Sequence, residues 1–269
     1  MTATTTVATR PGAGLAPSAV AVALRTIRKF VRTPQLIVVG TIQGALFLLI
    51  FRYVFGGSIG VGGLPYVDFL VPGFVTTTIL FAGTGAAAGV AEDVEHGFFD
   101  RLRSLPIPRL SVMAGRSLAD TALLGFTLAV TTAIGFAVGF RVHTDLAASL
   151  AAFGLCVVYG FAFEWMFITM GLVARNAQAA QGLSMIVFPL TFVSSAYVPV
   201  ATMPSWMRPF AENQPITVMV DAVRCLTQGS RVEALLPHHT AYYVGMSLLW
   251  TVALIAAFAP VAIARFSHR

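Results

Sequence analysis

Glu92–Arg109 reads EDVEHGFFDRLRSLPIPR, an island of charge between two long apolar runs. Four acids (Glu92, Asp93, Glu95, Asp100) stand beside Arg101, Arg103, Arg109 and His96. Phe98, Leu102 and Leu105 recur at spacings of four and three, which predicts a short helix with one apolar face. Pro106 and Pro108 then stop it, because proline lacks the N–H a helix needs and its ring crowds the preceding turn. Two readings are open for such a stretch. It is an amphipathic helix that presses on a partner, or a solvated connector between two membrane spans.

The rest of the chain makes this island exceptional. Of 269 residues, 57% are hydrophobic and 10% are charged, against about 25% charged in a soluble domain. The formal net charge is +6. The arginines sit at the ends of apolar runs, which is the pattern of a membrane protein and not of a nucleic-acid binder. Cys156 and Cys225 are too few for a disulfide framework. Residues 1–16 lack the apolar core of a signal peptide and read as a disordered tail.

Residues 17–34 read as a cationic amphipathic helix. Val20, Leu24, Ile27 and Val31 share one side, and Arg25, Arg28, Lys29 and Arg32 share the other. Such a helix suits the headgroup layer of a membrane; packing on this protein's own loops is the alternative. No aromatic platform is interleaved with the charges, so no nucleic-acid partner is expected.

Residues 35–269 form the membrane domain. Six apolar runs, at about 36–55, 68–91, 118–140, 146–173, 182–200 and 241–263, each approach the roughly 20 residues that a spanning helix requires. The fold class is therefore all-α, a polytopic protein with six transmembrane helices. With the N-terminus inside, 12 of the 17 lysines and arginines fall on inner segments and 5 on outer ones. That bias predicts both termini and the 92–109 loop on the cytoplasmic side. Pro189 predicts a kink or break in the fifth run. The outer segment 201–238 is punctuated by Pro204, Pro209 and Pro215. Ile216, Met219, Val220, Val223 and Leu226 then make a helical stripe that Gly229 closes. Asp221 and Arg224 are spaced to pair on that helix, as are Arg116 and Asp120 on the third span.

Glu164 falls inside the fourth run. A carboxylate at mid-membrane costs about 2.5–3.5 kcal/mol on the insertion scale, so it must be protonated, paired or facing water. It is a candidate contact for a cation or a proton, or a structural hydrogen bond to a neighbouring span. Gln43 and Thr76–Thr78 are polar enough to line a path, or to bond between helices. Lys29 is the single lysine, so no GxxxxGK[ST] phosphate loop exists. The chain holds neither HExxH nor an intramembrane Ser–His pair, which disfavours an intramembrane protease.

The run Glu95-His96-Gly97-Phe98-Phe99-Asp100-Arg101-Leu102-Arg103-Ser104-Leu105-Pro106-Ile107-Pro108 resembles the cytoplasmic loop of ABC-2-type transporter permeases. Met113–Asp120 resembles the daunorubicin-resistance branch, as do Pro209–Thr217, Ala222-Val223-Arg224 and Gly229. The similarity runs from about Val20 over nearly the whole chain. It implies a drug-exporter permease subunit in the cytoplasmic membrane, paired with a second permease copy or homologue. It further implies separate ATPase subunits that bind ATP and Mg, so that this chain needs no cofactor and catalyses no hydrolysis itself. The 92–109 loop would be the coupling helix, with Glu95, Gly97, Phe98, Asp100, Arg101, Leu102, Leu105 and Pro106 meeting the ATPase. Residues 17–34 would lie on the inner surface, in contact with lipid, and helices at 201–229 would cap the outer side. The cargo implied is hydrophobic or amphipathic: a drug, a lipid or a glycan. Gln43, Thr77 and Glu164 are the candidates for its path, and Glu164 rests on burial alone, not on the resemblance. An ion- or proton-coupled secondary carrier using Glu164, or a non-transporting scaffold, are the alternatives.

Overall fold

The computed structural model describes residues 14–32, 34–98 and 109–268, and among these there is no strand. Eleven α-helices follow in order among the described residues: α1 Leu15–Val31, α2 Pro34–Ile50, α3 Tyr66–Glu95, α4 Arg109–Ala137, α5 Leu146–Val173, α6 Ala177–Ser184, α7 Phe188–Phe192, α8 Arg208–Asn213, α9 Pro215–Gln228, α10 Ser230–Glu233 and α11 Thr240–His268. Four apolar helical stretches, Tyr66–Glu95, Ala114–Ala137, Leu146–Val173 and Thr240–Phe266, are long enough to cross a membrane.

The other two expected spans differ. The first is α2 continued by a π turn, Phe51–Phe55. The fifth, expected at 182–200, is not one helix. It comprises α6, a 3-10 turn at Met185–Val187 and the five-residue α7, after which the chain turns irregularly to Pro199. Pro189 supplies the physical reason, since it offers no N–H to the preceding turn. The N-terminal helix also begins at Leu15 rather than Pro17.

α3 and α5 form the centre, with α4, α6, α9 and α11 packed around them. Small residues let these helices meet closely, the usual device where lipid supplies no hydrophobic drive. A Cβ on Gly171 of α5 would stand 2.5 Å from the Ala87 carbonyl of α3. α1 packs on α4 through Ser18, Ala19, Val22 and Thr26, and a Cβ on Gly115 would lie 2.4 Å from the Ala19 carbonyl. The bundle thus has a loop end, where α1 meets the end of α3, and a cap end, where α9 meets the start of α3.

Candidate functional site

At the loop end, α3 runs on through Glu95, so Glu92, Asp93 and Glu95 belong to its last turn and not to the loop proper. The helix stops at Gly97, whose φ of 64° is the left-handed conformation that favours glycine after a helix. Phe98 follows. The expected coupling residues Asp100, Arg101, Leu102, Leu105 and Pro106 lie outside the described residues.

Asp93 is buried and holds two arginines. Arg25 of α1 donates to both its oxygens, at 3.1 and 3.5 Å, and Arg116 of α4 donates Nη1 at 2.9 Å. Arg116 also donates Nε to Asp120 at 2.6 Å, the pair expected from their spacing. Gly89 makes room for Arg116, since a Cβ there would stand 2.7 Å from Nη2. Arg25 lies 3.5 Å from the centre of the Phe98 ring, a cation–π contact. Lys29 pairs with Glu92 at 2.5 Å. Glu95 is exposed beside them. Two cations of α1 therefore grip the base of the loop, and charge-assisted bonds of this kind are short and directional.

Glu164 on α5 is buried, within electrostatic range of Arg116 and Asp120. Its Oε2 has no hydrogen-bond partner among the described residues. The other two path candidates stand elsewhere. Gln43 lines an open apolar groove of about 370 Å³ on α2, with Ile42, Leu46, Phe47 and Ile50. Thr77 is buried in α3, donating to the Phe74 carbonyl and accepting from the Tyr197 hydroxyl, both at 3.0 Å. The structure thus gathers Glu164 with the Arg116 cluster and brings neither Gln43 nor Thr77 to it.

The cap end solves a different problem. The irregular chain after α7 leaves backbone carbonyls without helical partners, which an apolar surrounding does not tolerate. Side chains supply the donors. Gln214 Nε2 reaches the Leu190 and Val193 carbonyls at 3.1 and 2.6 Å. Arg224 Nη2 reaches Ser195 and Ala196 at 2.5 and 3.0 Å, its Nε reaches Phe69 at 2.9 Å, and its Nη1 pairs with Asp221 at 2.8 Å. Tyr66 donates to the Tyr197 carbonyl at 3.0 Å, and the Thr217 hydroxyl accepts the Ser195 N–H at 3.1 Å. Gly73 allows the approach, because a Cβ there would come within 2.0 Å of the Ala196 carbonyl.

Sequence reading expected the Asp221–Arg224 pair but missed the roles of Gln214, Thr217, Tyr66 and Tyr197. A signal was present. A broken span creates orphan carbonyls, and the nearby Gln-Pro-Ile-Thr run carries the donors and acceptors that meet them.

Residues 18–226 match the ABC-2 type transporter family. The chain belongs to that family. It is 29% identical, over 97% of its own length and 90% of the relative's, to a daunorubicin resistance ABC transporter permease protein, DrrB1, of Streptomyces coeruleorubidus. It is 28% identical to a probable doxorubicin resistance ABC transporter permease protein, DrrC, of Mycobacterium tuberculosis, over 83% of this chain and 80% of that one. A putative transport permease, ycf38, of Cyanophora paradoxa is 22% identical over 72% and 69%. This ABC-2 chain is a multi-pass integral membrane protein, in keeping with the four long apolar helices among its described residues. The relatives are permease proteins by name, and Arg25, Asp93 and Arg116 all lie within the part that matches the family.

Proposed function

We propose that this chain is the membrane subunit of an ATP-driven exporter. Its 92–109 loop docks on a separate ATPase subunit that binds ATP and Mg, and two permease units, identical or related, enclose the path. The chain crosses the membrane six times with both termini inside, counting α2 with its π turn and the broken 177–200 segment as crossings. The cargo is a hydrophobic or amphipathic molecule, of the drug class that the relatives' names indicate, with lipid or glycan as the remaining classes. The observation that carries this reading is the grip of α1 on the loop base. Arg25 holds Asp93 and covers Phe98, so a push on the loop is delivered to α1, α3 and α4 together.

Leu102 and Leu105 are the apolar knob for the partner's groove, with Phe98 beneath Arg25 at its root, and truncating buried anchors of that kind costs well over about 1 kcal/mol each. Phe98→Ala with Leu102→Ala should leave the protein in the membrane but abolish ATPase co-purification and substrate-stimulated hydrolysis. Retention of a normally stimulated ATPase overturns the reading. One observation favours a second reading, an ion- or proton-coupled carrier: the buried Glu164 oxygen that has no partner among the described residues. Uphill transport by the chain alone in sealed vesicles without nucleotide would establish that carrier, and Glu164→Gln would then abolish it.

A further inference from the structure

α1 turns its large apolar side away from the bundle. The sector against α4 consists of Ser18, Ala19, Val22 and Thr26, while Val20, Leu24 and Val31 point away and are 54%, 46% and 64% exposed. A helix needed only for packing on its own protein would bury the large apolar side chains and expose the small ones. At 3.6 residues per turn, the cations fall between these two sectors in two pairs. Arg25 and Lys29 lie next to the buried sector and engage Asp93 and Glu92. Arg28 lies next to the apolar sector, Arg32 follows between Arg28 and Arg25, and both are exposed. Among the described residues no carboxylate pairs with either one, and residues 14–32 contain no acid.

We infer that α1 is a binding surface for acidic phospholipid, with Val20, Leu24 and Val31 among the acyl chains and Arg28 and Arg32 on the headgroup phosphates. The inference rests on the reading of the adjoining loop as a coupling element on the cytoplasmic side. The order apolar, then cationic, across one helix face reproduces the order of acyl chain, then phosphate, in a lipid leaflet. A soluble acidic protein would neutralise the arginines but leave the apolar sector in water. A neutral bilayer would accept the apolar sector but supply no net charge to the arginines. Basic residues at an anionic surface are attracted by about 1 kcal/mol each. Arg25 and Lys29 sit on the same helix, so the lipid that seats α1 also sets how firmly the loop base is held.

The test uses the full chain with its ATPase, reconstituted in discs of phosphatidylcholine with and without phosphatidylglycerol. Native mass spectrometry after detergent extraction counts the phosphatidylglycerol retained. Arg28→Gln with Arg32→Gln should lower that retention by about fivefold per arginine, whereas Arg28→Lys with Arg32→Lys should keep most of it. Arg265→Gln, at an exposed cation of α11, should leave it unchanged. Substrate-stimulated hydrolysis should rise with phosphatidylglycerol in the wild type and stay flat in the double glutamine variant. The inference is overturned if the double glutamine variant retains phosphatidylglycerol like the wild type, or if Arg265→Gln loses as much. If retention falls as expected while Phe98→Ala/Leu102→Ala still couples normally, the lipid surface stands and the coupling reading of the loop fails.

Discussion

Among the described residues, Arg116 and Arg224 are the two buried arginines, and they stand at opposite ends of the bundle with opposite duties. Each pairs with an aspartate on its own helix, Asp120 and Asp221 respectively. Beyond that pair, Arg224 turns to backbone, reaching three carbonyls and stacking 3.6 Å from the Phe69 ring centre. Arg116 turns to another charge, Asp93, which Arg25 also holds. The cap end therefore repairs a break in secondary structure, with geometry set by a rigid guanidinium fork. The loop end joins three helices through side chains that share one carboxylate. Without its arginine, Asp221 keeps only the Ser195 hydroxyl at 2.9 Å among the described residues, whereas Asp93 keeps a second cation.

The largest effect that tests this contrast is expected at Arg224. Arg224→Met removes all of the guanidinium's bonds to Phe69, Ser195, Ala196 and Asp221 and leaves Asp221 buried without its cation, for which the cost is about 3–5 kcal/mol. The variant should fail to yield monodisperse protein on detergent extraction, and Arg224→Lys should not rescue it because a point charge cannot reach the same carbonyls. A well-behaved lysine variant would show that charge alone matters at the cap.

A smaller loss is expected at Arg116. Arg116→Met leaves Asp120 uncompensated, but Asp93 keeps Arg25, so the loss should be about 2–3 kcal/mol. Adding Asp120→Asn should recover about 1 kcal/mol of it in thermal unfolding, since neighbouring sites couple. Should Arg116→Met prove as damaging as Arg224→Met, Arg25 is not the second support that the geometry indicates.

The smallest effect belongs to the exposed edge of the same cluster. Lys29 and Glu92 are 51% and 42% exposed, and pairs of that kind contribute under about 1 kcal/mol. Lys29→Gln should shift the unfolding midpoint little, and the remaining difference should shrink at high salt because exposed charges are screened. A large shift would place Lys29 with the buried members of the cluster.

Features that depend on composition and on helical period are legible in the chain alone. Low charge and long apolar runs define a polytopic membrane chain, since a bilayer admits few ionised groups and its helices must satisfy their own backbone. Pro189 marked the break in the fifth run. The spacings of three and four located Arg116–Asp120 and Asp221–Arg224, because residues at those spacings share a helix face wherever the helix sits. The other partners of those arginines come from the packing of the helices. Arg25 and Asp93 are 68 residues apart, and Arg224 and the Phe69 carbonyl are 155 apart. Which side of α1 would be buried was equally hidden. Its large apolar stripe read as a lipid-facing side and is exposed, but the side that meets α4 was not marked: close contact with Gly115 selects Ser18, Ala19, Val22 and Thr26. Local periodicity names the partners within one helix; the crossing of helices, set by which small residues let backbones approach, names all the others.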